Sequence, residues 1–129
     1  MEWPISSIVS SDAGCISFLG TAPIRFWEDT VPEAYLPMTL DYATWSTVGG
    51  MPENYMCEVP TMDSGRIQVD AYSRTKTGAR NVALALRDAI EPHAHMISTP
   101  VSLYESDTKL YRYILEFQFW TLRPEPTSV

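Results

Sequence analysis

At 129 residues, with 45% hydrophobic and 19% charged positions, the chain has the size and composition of one globular domain and is short for two cores. Its net charge of −7 argues against a surface that wraps nucleic acid by neutralising phosphates, and no apolar run approaches the ~20 residues that span a bilayer. The charge is also uneven: residues 1–63 hold nine acids against the single base Arg25, net −8, whereas residues 64–129 hold seven acids and eight bases, net +1.

Met1-Glu2-Trp3-Pro4 lacks the basic and apolar regions of a secretory signal, so cytoplasmic folding is expected, with Cys15 and Cys57 as reduced thiols. From Pro4 to Leu19 the apolar residues Ile5, Ile8, Val9, Ile16 and Leu19 recur at helical steps. They predict a short helix broken near Ser11-Asp12 and ending at Gly20. Ile24 to Trp27 reads as a short strand, and Glu28 to Pro37 as a connection.

Met38 to Ser46 alternates as a half-buried strand, with Met38, Leu40 and Tyr42 on one side and Thr39, Asp41 and Ala43 on the other. Trp45 then falls on the polar side, which suggests a bulge or a contact surface. The stretch 48–63, rich in Gly, Pro, Met and acids, is read as a long connection with Tyr55, Met56 and Met62 as its apolar content. Asp63-Ser64-Gly65 has the composition of a tight turn.

In the next strand Ile67, Val69 and Ala71 alternate with Arg66, Gln68 and Asp70, giving one core face and one wet face. Ser73 or Thr75 can cap the helix that runs to Ile90, where Ala79, Val82, Ala83, Leu86 and Ile90 share one arc. Lys76, Arg80 and Arg87 form a basic stripe beside that arc, and Arg87 can pair with Glu91 at i,i+4. Ile97 to Tyr104 and Leu110 to Leu122 read as strands joined by the polar loop 105–109. On the second, Tyr111, Tyr113, Leu115, Phe117 and Phe119 make the apolar face. A single domain over residues 1–123 and a flexible tail over 124–129 are expected.

Reactive chemistry is sparse. No P-loop, G-x-G-x-x-G, G-x-S-x-G or H-E-x-x-H occurs, and His93 and His95 lack partners at metal-ligand spacing. No catalytic residue, cofactor or metal is therefore expected. Asp41, Asp70 and Glu116 could in principle act together in hydrolysis if their strands were neighbours, but solvated acids on a sheet face are the plainer reading.

The segments RIQVDAYSRTKTGARNVALALRDAI and LYESDTKLYRYILEFQFWT resemble the tail-completion, or tail-terminator, family of long-tailed bacteriophages, proteins that join tail to head. Arg66, Gln68, Val69, Asp70 and Tyr72, then Ala79, Ala83 and Leu86, then Tyr111, Arg112, Phe117 and Trp120 carry the resemblance, with a looser likeness at Leu36 to Tyr42. The serine-rich N-terminal helix, Ala71 and the Met-rich stretch 48–63 depart from it.

The resemblance implies an α+β subunit, a twisted and mainly antiparallel sheet with about two helices on one face. It also implies a hexameric ring at the head-proximal end of the tail tube, stopping its growth. Partners would be other copies, the tail tube protein and the head-tail connector or stopper, with DNA passing through the lumen unbound and no membrane. Such a protein would assemble in the host cytoplasm and reside in the virion neck. On this reading Lys76, Arg80 and Arg87 are expected between subunits, and Tyr55, Met56 and Met62 against the tube or connector. The alternative is a small monomeric adaptor that binds one host or phage protein through 48–63, using the adaptable methionines there.

Overall fold

The computed structural model describes residues 4–21, 23–36, 38–52, 62–97 and 100–122. Among them are three α-helices and six strands: α1 (Ile5–Ser10), α2 (Ala13–Leu19), β1 (Phe26–Glu28), β2 (Tyr42–Pro52), β3 (Met62–Ser73), α3 (Lys76–Ile90), β4 (His95–Met96), β5 (Val101–Glu105) and β6 (Leu110–Leu122). A 3-10 turn, Glu33–Tyr35, follows β1. The sheet is open and mixed. β1 pairs β2 in parallel, and β2, β3 and β6 follow as antiparallel neighbours; β4 and β5 both pair the remaining edge of β6. This is the expected α+β architecture.

The expected break in the N-terminal helix separates α1 from α2: the Asp12 carboxylate accepts from Cys15 N at 2.9 Å and caps α2. At the other end Gly20 takes a positive φ of 78°, and a Cβ there would come within 2.8 Å of Arg25 Nη1. Arg25 needs that room. Its Nη2 donates to Phe18 O at 2.8 Å and its Nε to Asp41 O at 2.7 Å, which fastens the C-terminal end of α2 to the entry of β2.

All helices lie on one face. α3 packs on β3 and β6, and α1 and α2 pack against α3, with α2 also reaching β2. The Thr75 side chain accepts from Gly78 N and caps α3, while Ser73 Oγ accepts from Thr75 N and donates to Asp41. Ile67, Val69 and Ala71 on β3 and Leu115 and Phe117 on β6 are fully buried beneath Val82, Leu86 and Ile90, as the alternation predicts. At about 1.5–3 kcal/mol for each large apolar side chain, this layer dominates the folding energy.

Several expectations are corrected. β2 starts at Tyr42, not Met38, and its core side is Ala43 and Trp45. Trp45 has more apolar area to hide than Met38 or Leu40, which precede the strand, and a one-residue change of register inverts every side chain. Residues 48–52 continue β2 and Asp63-Ser64-Gly65 lies inside β3, paired on both sides by β2 and β6. Two ladders satisfy that backbone, so turn propensity loses. What is left of the long connection, residues 53–61, lies outside the described residues, as does the tail 123–129.

The register slips between Thr47 and Gly49, a β-bulge at Val48. The strand expected over Ile97 to Tyr104 begins later, as β5, after Pro100, which has no N–H for a ladder, and the two-residue β4 precedes it. Finally, Arg87 pairs with its neighbour Asp88 at 3.1 Å, not with Glu91.

Candidate functional site

The face of the sheet away from the helices carries polar and aromatic side chains that adjacent strands hold in register. Tyr42 and Tyr72, paired across β2 and β3, stack with centroids 4.7 Å apart and planes inclined by 14°. Trp27 on β1 extends this row, 6.4 Å from Tyr42 and 5.5 Å from Tyr35. At its other end the Arg112 guanidinium sits 5.7 Å from the centre of Tyr72. Arg112 Nη2 donates to Asp70 at 2.9 Å, and Nη1 lies 3.6 Å from Glu105. Gln68 Nε2 adds a 3.0 Å bond to Asp70, and Arg66 pairs with Glu116 at 3.0 Å.

A cleft of about 180 Å³ opens beside this row, lined by Asp29, Val31, Leu36, Tyr42, Tyr72 and Glu105. Burial pushes the Tyr42 phenol up to about 12 and raises that of Tyr72, so both stay neutral at physiological pH. Burial works against the charge of Arg112, but the hydrogen bond and attraction to Asp70 outweigh it and raise its pKa. The face therefore holds a fixed, hydrogen-bonded relief.

The three carboxylates considered for hydrolysis do not converge on a common point. Asp70 is bound to Arg112, Glu116 to Arg66, and Asp41 accepts from Ser73 Oγ at 2.7 Å. Asp70 is only 7% exposed, which corrects the expectation of a solvated acid. Among the described residues no three His, Cys, Asp or Glu gather in a way that could hold a metal ion; His93 and His95 are exposed. Cys15 is buried in the helical layer, its Sγ 3.4 Å from Ala85 O, and burial raises its thiol to about 12. Cys57 lies outside the described residues.

The sequence-predicted contact residues separate into two groups. Tyr55 and Met56 lie outside the described residues, and Met62 opens β3 opposite Leu122. Lys76 and Arg80 are exposed on α3, and Arg87 is half-exposed in its pair with Asp88. Their direction follows from helix geometry. Cys15 places α2 against Ala85, and at 100° per residue Lys76, Arg80 and Arg87 lie roughly 140–180° around α3 from that point. The basic stripe thus occupies the flank of α3 away from α2, on the side of β4 and β5. At the opposite edge of the sheet stand Glu28, Asp29 and Glu33, all exposed around β1.

Sequence reasoning missed the Tyr42–Tyr72 stack and the Asp70–Arg112 pair. The available signal was a pair of opposite charges, Asp70 and Arg112, on the polar sides of two strongly alternating strands. It expected a strand at β5 but not its exposure: Val101, Leu103 and Tyr104 are each roughly half exposed.

The sequence model of the family described as "Tail completion protein gp17" matches residues 5–122. No curated protein matches the chain. Among solved structures, a chain of the virion of a native gene transfer agent (GTA) particle is similar, with a TM-score of 0.65 and 12% identity, covering 92% of this chain and 92% of that one. At that identity the likeness concerns the fold.

Proposed function

Because the chain belongs to the family of tail completion protein gp17, and is accordingly a structural protein of the virion tail, we propose that its copies close into a ring on the head-proximal end of the tail tube. The ring stops tube growth and receives the head connector. The observation that supports this best is the separation of charge over the subunit: Glu28, Asp29 and Glu33 around β1, Lys76, Arg80 and Arg87 on the flank of α3 that faces away from α2. Complementary patches at opposite ends of one subunit make a heterologous contact, and such a contact repeated around an axis generates a ring. Six copies are the number suggested by the family resemblance. A net charge of −7 also suits a lumen through which DNA passes without adhering.

Reversing Arg80 and Arg87 to Glu together should abolish rings in sedimentation and electron microscopy, and adding Glu28→Lys and Glu33→Lys to the same chain should restore them. Rings unaffected by the first pair would remove the charge contact from the proposal. A wild-type chain that stays monomeric even with purified tail tubes would overturn the ring and favour a small adaptor.

A further inference from the structure

Between the two charged patches lie the two backbone edges of the sheet, and they are not built alike. On the β1 side, β1 covers β2 only over Ala43 to Trp45; beyond that, β2 is interrupted by the bulge at Val48 and ends at Pro52. The bulge and the proline close that length of β2 to a further strand, so on this side an incoming strand can pair only along β1. On the other side β5 pairs only β6 among the described residues, has an unbroken register with it, and contains no proline and no lysine. Its apolar side chains are uncovered on both faces. Val101 and Leu103 align with Ile114 and Arg112 on the open face and are 48% and 45% exposed; Tyr104, on the opposite face, is 55% exposed and leans on Tyr111 at 4.9 Å.

An edge strand with exposed apolar side chains and neither bulge nor proline is a strand-addition site. Resting on the ring reading above, we infer that β5 docks by its free edge along β1 of a second copy, so that sheets of neighbouring subunits run on from one to the next. Two features specify a second copy over an unrelated strand. The apolar residues that flank β1, Tyr35, Leu36 and Leu40, are exposed and match the apolar content of β5. The same approach brings the basic flank of α3, which lies on the β5 side, towards Glu28, Asp29 and Glu33. Backbone pairing sets the register of the contact, and the side chains and charges select the partner edge.

The test compares the full-length wild type with Val101→Lys and Leu103→Lys variants, alone and with purified tail tubes, by sedimentation velocity. Both positions are exposed, so each variant should keep the melting temperature and circular dichroism of wild-type monomer. Each should weaken assembly by about tenfold or more. Hydrogen exchange supplies a second readout that needs no variant: in assembled wild type, backbone amides within 101–105 that do not bond β6 should slow by about tenfold or more relative to the monomer. Rings that form normally in both variants, or exchange at 101–105 unchanged on assembly, would overturn the β5 contact and leave the ring itself standing. A wild type that never assembles would overturn both.

Discussion

Beneath the helices, β3 and β6 present Ile67, Val69, Leu115 and Phe117 with no measurable exposure; on their reverse the same two strands present Arg66, Gln68, Asp70, Arg112 and Glu116. One backbone thus serves two kinds of surface, separated by a single step of the side-chain alternation. The covered face is held by burial, which is strong and indifferent to direction. The open face is held by pairs such as Asp70–Arg112 and by the Tyr42–Tyr72 stack, which add less energy but fix where each group points. For a protein whose task is contact, the second property is the useful one. A defined relief can be offered to a neighbour without reorganisation on docking.

The comparison is sharpest where the covered face is cut. Phe117→Ala removes a fully buried ring and should cost about 3–5 kcal/mol in urea unfolding, enough to leave the fold marginal. On the open face, Asp70→Ala deprives the partly buried Arg112 of its closest partner and should cost about 2 kcal/mol. A double-mutant cycle with Arg112→Ala should recover part of that loss, because both ends of the pair then go. If Asp70→Ala costs as much as Phe117→Ala, the division of labour between the faces fails. Smallest of all, Arg66→Ala breaks an ion pair whose arginine side chain is more than half exposed, and should change stability by less than about 0.5 kcal/mol. A larger value would mean that the open face is more tightly coupled than its exposure implies.

How much of this was legible in the sequence depended on how strong the periodic signal was in each element. α3, β6 and the part of β3 from Arg66 onward could be read nearly residue for residue, because their apolar sets follow periods of 2 and 3.6 and are then largely buried. β2 was harder. Its neighbours in sequence, Met38 and Leu40, supported one alternation and Trp45 the other, and only pairing to Ala71 and Val69 decides between them. Two glycines, a methionine and a proline at 49–52 concealed a strand because edge pairing asks little of side chains.

For the site, the charge asymmetry and the basic stripe were visible as composition and spacing. The Asp70–Arg112 pair spans 42 residues of chain and becomes apparent only when β3 and β6 are laid side by side. The exposure of β5 on both faces was hidden for a related reason: it is a property of where α3 stops covering the sheet.

Arg25 has a consequence for symmetry. The sole cation of the N-terminal half is spent on the carbonyls of Phe18 and Asp41, inside its own subunit. The rim around Glu28, Asp29 and Glu33 thereby carries one sign of charge and, among the described residues, makes no ion pair. Two such rims repel, so a twofold, self-complementary dimer through that surface is disfavoured from the outset. The clamp on α2 thus also makes that rim unfit to meet its own copy face to face.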